Sequence, residues 1–164
     1  MTAPAGIERI QMIISDVDGV LTDGRVYIGP RGEELMKAFH VQDGLGIVWA
    51  RERGLRIAWV SARASPILVE RARELGVHHL FQGVPDKKEA VLKICALEGV
   101  TPEEVAYIGD DENDLPVFEV VGFRVAVADA HPRLREQANW ILERAGGRGA
   151  LREVIDAVLK ARGG

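Results

Sequence analysis

Carboxylates gather at short spacing in two parts of this chain. One group is Asp16-x-Asp18 in "ISDVDGVLTDG" (14–24), and the other is Asp110, Asp111 and Asp114 in "GDDEND" (109–114). Each stands just after an apolar run, where a buried strand ends, and buried negative charge needs a cation or hydrogen-bond donors beside it. Two further segments end or follow apolar runs with the complementary groups, Ser61 before "ARASP" and the pair Lys87-Lys88. Carboxylates with few neutral ligands suit a hard cation, most naturally Mg²⁺, which keeps waters and favours phosphate oxygens. A hydroxyl and an ammonium beside it suit the oxygens of a phosphoryl group. A carboxylate can attack phosphorus to give an aspartyl phosphate, dividing hydrolysis into two easier steps. Metal and lysine neutralise the repulsion between the two anions, and an acid must protonate a poor alkoxide leaving group. Aspartates at i and i+2 on an extended chain point the same way, so one can be nucleophile and the other acid/base.

Convergence of these residues requires a particular arrangement of elements. Residues 10–15, 55–61, 79–82, 105–109 and 123–128 read as strands, with 140–142 a weaker sixth. Several carry apolar residues at consecutive positions, as strands covered on both faces do. Between them helices are predicted over 44–53, from Ser65 as N-cap with Pro66 at the first position to Gly76, over 86–98, and over 149–162. This alternation predicts an α/β fold with a mainly parallel sheet and right-handed crossovers. All the polar strand ends then lie along one edge, where open α/β sheets bind ligands. One segment breaks the rhythm: residues 25–28, a "GPRG" turn and residues 34–39 read as a β-hairpin inserted at about 24–40. It is placed to rim the site or to contact another copy.

The 164 residues, with no linker or repeat, are expected to form a single domain over 1–164, closed by a tail and helix at 145–164. A net charge of −4 argues against a nucleic-acid surface. No apolar stretch reaches membrane-spanning length, and the N-terminus lacks the layout of a signal peptide, so no membrane partner and a cytoplasmic setting are expected. The lone cysteine, Cys95, excludes a disulfide framework and a thiolate metal site. Asp23, five residues beyond Asp18, reads as a turn residue opening the hairpin.

The order "DVDGVLTDG", "SAR", "DKK" and "YIGDDENDLPV" resembles the four motifs of the haloacid-dehalogenase-like phosphatases. The hairpin, "FHVQDGLGI" (39–47), "AVADAHP" (126–132) and "AGGRGALREV" (145–154) are similar to the 3-deoxy-D-manno-octulosonate 8-phosphate phosphatase family within them. The resemblance covers nearly the whole chain. It implies a Rossmann-like three-layer α/β/α core with the hairpin as minimal cap, and Mg²⁺ as cofactor. It also implies a homotetramer in which a neighbour helps close each site, and hydrolysis of a sugar-acid phosphate for lipopolysaccharide biosynthesis. By position, Asp16 becomes the nucleophile and Asp18 the acid/base, whose backbone carbonyl also meets the metal. Asp110 becomes the third metal ligand, supported by Asp111 and Asp114. Ser61 and Lys87 hold the phosphate, with Lys87 preferred to Lys88 from its spacing after "FQG". Arg63 and Arg148 are candidates for the substrate carboxylate, which a guanidinium can grip bidentately. Ser61-Ala62-Arg63 stands where the family often has Ser-Gly-Arg.

Each motif alone has a plainer reading. A lone DxD is often a turn or cap, Ser61 can simply lead into a helix, and "GDDEND" can cap the helix after it. Three other functions compete with the family's own: a phosphatase of a nine-carbon sugar-acid 9-phosphate, a phospho-accepting receiver, and a silent scaffold. A receiver places its acceptor aspartate on a middle strand after an acidic pair on the first. Here the acidic groups occupy the first and fourth strand ends with Ser61 between.

Overall fold

The chain was analysed as a computed structural model that describes residues 2–163. In chain order the strands are β1 (Met12–Ser15), β2 (Tyr27–Ile28), β3 (Glu34–Met36), β4 (Arg56–Ser61), β5 (His79–Gln82), β6 (Val105–Gly109), β7 (Phe123–Ala126) and β8 (Trp140–Ile141). The helices are α1 (Val41–Glu52), α2 (Pro66–Leu75), α3 (Lys87–Glu98), α4 (Leu115–Phe118), α5 (Pro132–Gln137) and α6 (Ala150–Ala161). None of them is long and apolar enough to cross a membrane.

The apolar runs form a six-stranded sheet in the order β5-β4-β1-β6-β7-β8, every neighbouring pair parallel. β1 is buried at all its positions and lies between β4 and β6. Helices α1, α2 and α6 pack together, as do α3, α4 and α5, giving the expected three layers. Chain order runs outward from β1 in both directions, so a crevice opens beyond the carboxyl ends of β1, β4 and β6. The hairpin is also present: β2 and β3 pair antiparallel as a separate small sheet, with a register shift between Tyr27 and Ile28. Asp23 is the turn residue expected, its Oδ1 accepting from Arg25 N at 3.0 Å.

Several local boundaries differ from expectation, each for a physical reason. The first strand begins at Met12 rather than Ile10, because Ile10 closes a short 3₁₀ turn over Ile7–Arg9. Helix α1 begins at Val41, not Gly44. The His40 ring caps it, Nδ1 accepting from Gln42 N at 3.2 Å. Glycine discourages helix, but Gly46 is needed there because a Cβ would press on Arg152 of α6. Ser65 does occupy the N-cap position of α2, yet its hydroxyl makes no cap bond. It donates instead to Glu34 Oε1 of the hairpin at 2.6 Å. The short helices α4 and α5 span too few turns to show a period.

Asp43 ties the C-terminal helix to this frame. Gly149, at the N-cap of α6, has no side chain to cap it, and Asp43 Oδ1 on α1 accepts from Arg152 N at 2.8 Å. Burial drives the Asp43 carboxyl up to about 6, against the opposing hydrogen bond from Arg152 N. A carboxyl whose pKa is raised on folding contributes stability fully present below its unfolded value of about 4 and lost as pH rises through the folded value. Asp43→Asn keeps an acceptor and removes the charge. In urea titrations it is expected to gain on the wild type by about 2 kcal/mol between pH 4 and 7. Asp43→Ala, lacking the acceptor, should fall about 1 kcal/mol below the Asn variant throughout. A difference between wild type and Asp43→Asn that stays flat across that range would contradict this role.

Candidate active site

Three strand ends deliver their side chains to one cleft of about 220 Å³. Asp16 follows β1, Ser61 ends β4 and Asp110 follows β6, and all three line it with Asp18, Arg63, Lys87 and Asp111. The structure therefore brings together every site residue named from the sequence except Arg148, with Asp114 directly beneath. Lys87 arrives from the other side of the sheet, at the first position of α3, whose N-cap is Asp86.

Asp114 organises this set. It is fully buried, and both oxygens are occupied. Oδ1 accepts from Lys87 Nζ at 2.8 Å and from the Tyr107 hydroxyl at 2.6 Å; Oδ2 accepts from the backbone N–H of Asp110 at 2.9 Å and of Asp111 at 3.4 Å. One carboxylate thus orients the lysine and shapes the loop that presents Asp110. Asp111 shapes the same loop, its Oδ1 accepting from Glu112 N at 2.7 Å. Burial pushes the Tyr107 hydroxyl well above its ordinary pKa, and the Asp114 charge adds to that, so it remains a donor.

Asp16 Oδ1 accepts from Val17 N at 2.7 Å and lies 3.1 Å from Lys87 Nζ. Burial and the Asp114 charge raise its pKa, with Lys87 opposing. Asp110 is raised as well, by burial and then by Asp16, which faces it closely enough to share a proton. Burial pulls the Lys87 ammonium down, but Asp16 and Asp114 outweigh it and its pKa rises. Lys88, the other candidate, points outward and pairs with Glu119 at 2.6 Å.

A divalent cation fits this donor set. Asp16, Asp110 and Asp114 each offer a carboxylate oxygen within 4.8 Å of the others, and burial first, then the neighbouring carboxylates, raise the pKa values of Asp16 and Asp110, a cost of ionisation that a bound cation would relieve. With Asp114 already engaged by four donors, Asp16 and Asp110 are the carboxylates of this set that could serve as side-chain ligands. Gly19 makes this possible: its φ is +90°, and a Cβ there would overlap Asp110 Oδ2.

The hairpin supplies a second polar hub that the sequence reading did not single out. The Lys37 side chain is almost wholly buried, and its Nζ reaches Asp18 Oδ1 at 2.7 Å and Glu34 Oε2 at 3.1 Å. Glu34 also takes Arg63 Nη2 at 3.3 Å, so Arg63 stands at the cleft rim already paired. Burial works to raise the Glu34 pKa, but the Ser65 and Lys37 hydrogen bonds prevail and lower it. Tyr107, Lys37 and Glu34 were overlooked because each lies inside an element that periodicity alone explains. Only the "Y" of "YIGDDENDLPV" carried a signal, by its place in the motif.

Arg148 is exposed and does not line this cleft. The tail before it nonetheless abuts the site. Gly146 N donates to Asp129 Oδ1 at 2.9 Å and Gly147 N to Val20 O at 2.9 Å, and a Cβ on Gly146 would overlap the Gly19 carbonyl.

A family model described as haloacid dehalogenase-like hydrolase matches residues 76–153. The 3-deoxy-D-manno-octulosonate 8-phosphate phosphatase of Escherichia coli (strain K12) is 47% identical over 159 residues, 97% of this chain and 84% of that protein. The crystal structure of the phosphatase of the same name from Yersinia pestis superposes with a TM-score of 0.92 at 46% identity, covering 96% of this chain and 84% of that one. The Moraxella catarrhalis phosphatase of that name, solved with a magnesium ion, a phosphate ion and a KDO molecule, gives a TM-score of 0.91 at 37% identity, covering 96% and 90%.

Because Asp16 and Asp110 are raised on folding, their contribution to metal-free stability is fully present below pH about 4 and lost as pH rises through their folded values. Mg²⁺ bound to the ionised pair opposes that loss. Its thermal stabilisation should therefore grow between pH 5 and 8, and Gly19→Ala should remove most of it. A Mg²⁺ shift that is independent of pH and survives Gly19→Ala would overturn this assignment.

Proposed function

The chain belongs to the 3-deoxy-D-manno-octulosonate 8-phosphate phosphatase family of the haloacid dehalogenase-like hydrolases, and we propose that it hydrolyses that sugar-acid phosphate through an aspartyl phosphate on Asp16. The observation that carries the reading is the convergence of Asp16, Asp18, Ser61, Lys87 and Asp110 on one cleft. Its support for the substrate is the identity to phosphatases of that name and the sugar acid held by the Moraxella catarrhalis relative.

The carboxylate of Asp16, anchored by Val17 N and Lys87, attacks phosphorus. Lys87 and the Ser61 hydroxyl bind the phosphoryl oxygens, and Lys87 is kept charged and aimed by Asp114. Asp16, Asp110 and the Asp18 carbonyl would hold Mg²⁺, which when bound neutralises charge on the phosphoryl oxygens. Asp18 gives its proton to the departing sugar oxygen. It then takes one from the water that attacks the aspartyl phosphate, releasing phosphate and restoring Asp16. Asp111 and Asp114 keep the loop in shape. Arg63, at the cleft rim, and Arg148, on the tail, are the candidates for the substrate carboxylate.

The assembly belongs to the same reading. Val26, Ile28, Leu35, Met36, Val41 and Leu45 are 41–79% exposed, and all lie on or beside the hairpin. Such a concentration of exposed apolar side chains favours burial between copies, in a homotetramer whose hairpins meet. Residues 1–164 are read as one domain, working on the cytoplasmic sugar-acid phosphate of lipopolysaccharide biosynthesis. The free, buried Cys95 is consistent with a reducing compartment.

Phosphate release is the test, from the octulosonate 8-phosphate, a nine-carbon sugar-acid 9-phosphate and a generic ester, each with Mg²⁺ and with chelator. The octulosonate ester should be preferred, turnover should need Mg²⁺, and Asp16→Asn should lose at least about 10³-fold. Preference for the nine-carbon ester would replace the substrate, and no turnover of any ester would end the phosphatase reading. Light scattering on the same preparation should give a tetramer that Leu35→Glu dissociates; a wild-type monomer would refute the assembly.

A further inference from the structure

Each aspartate at the end of β1 is held at Oδ1 by one buried lysine, and the two lysines come from different elements. Lys87 at the start of α3 holds Asp16. Lys37, one residue beyond β3, has only 4% of its side chain exposed and donates to Asp18 Oδ1 at 2.7 Å. Burying an ammonium is unfavourable unless it is paired, and holding lysine still forfeits its rotamer entropy. The arrangement around Lys37 is built to accept that. Glu34 Oε2 meets the same Nζ at 3.1 Å, and Ser65 Oγ fixes the other Glu34 oxygen at 2.6 Å. Among the described residues Asp18 Oδ2 has no protein partner, and Asp18 lines the cleft.

We propose that Lys37 is a positioning residue for Asp18: by gripping Oδ1 it leaves Oδ2 to meet the leaving oxygen and, in the second step, the attacking water. This rests on the phosphatase reading above and extends it to the hairpin. Lys37 forms no bond and transfers no proton. It acts through the orientation of a carboxyl whose catalytic value falls steeply with small misplacement. The chain Ser65–Glu34–Lys37–Asp18 thus makes the inserted hairpin part of the acid/base apparatus as well as a rim.

Leaving-group dependence separates this role from a merely structural one. A sugar alkoxide needs a proton to depart, whereas dinitrophenolate hardly does, and kcat/KM reports the steps up to its departure. The test compares wild type, Lys37→Met and Lys37→Arg on the sugar-acid phosphate and on 2,4-dinitrophenyl phosphate at saturating Mg²⁺. For Lys37→Met, kcat/KM on the sugar ester should fall about 10- to 100-fold and on the dinitrophenyl ester by less than about 3-fold. Lys37→Arg should recover much of the loss. Equal falls on both esters would mean a structural pin, and no fall on either would mean no role; both overturn the proposal. So would a rise in KM for the sugar ester with kcat intact, which assigns Lys37 to substrate binding. A wild type inert toward every alkyl phosphate fails the phosphatase reading itself, a result distinct from an active wild type whose variant shows no leaving-group split.

Discussion

Three carboxylates within 4.8 Å of one another, at the ends of two fully buried strands, are the constraint around which this molecule is arranged. Left alone, such a cluster would protonate or open. Here Asp114 is saturated by Lys87, Tyr107 and two backbone amides, which converts one charge from a liability into a fixture. Asp16 and Asp110 remain, partly countered by Lys87, and their raised pKa values express what is still uncompensated. A divalent cation would complete the balance and offset the charge of an incoming phosphoryl group, so the metal site and the chemistry have one electrostatic origin.

The rest of the fold serves to hold that cluster. The parallel sheet aligns the ends of β1, β4 and β6, and α3 begins where its first side chain can cross to Asp16. Gly19 and Gly146 let the loop after β1, the Asp110 side chain and the tail pack closer than any Cβ would permit. The hairpin closes the other side through Glu34, which gathers Lys37, Arg63 and Ser65 around one carboxylate. Its exposed side chains include the apolar Val26, Ile28, Leu35 and Met36, and its Glu34 and Lys37 are paired toward the site.

What was legible in the sequence was whatever chain order alone determines. The strands, their parallel arrangement and the placing of Asp16, Ser61 and Asp110 on one edge follow from apolar runs ending in polar residues. Lys87 could be chosen over Lys88 by spacing, and the geometry agrees, with Lys88 drawn off to Glu119. The contacts that cross between elements were not legible. Ser65 reads as an ordinary helix cap and serves the hairpin; Asp43, just outside the helix predicted over 44–53, caps α6 about a hundred residues away, Oδ1 to Arg152 N at 2.8 Å. Lys37 sits in a segment whose hydrophobic pattern already accounted for it. Such roles depend on three-dimensional partners, and no local period records them. The Asp114 loop falls between: its acidity was visible, but only its four donors distinguish a support from a ligand.

On the proposed mechanism Asp16, rather than its neighbour Asp18, takes the phosphoryl group. Rapid quenching during turnover, reduction of the acyl phosphate with borohydride and peptide mass spectrometry test it directly. The account requires homoserine at position 16 and unmodified aspartate at position 18. Homoserine at another position, or none from an enzyme that is turning over, would contradict it.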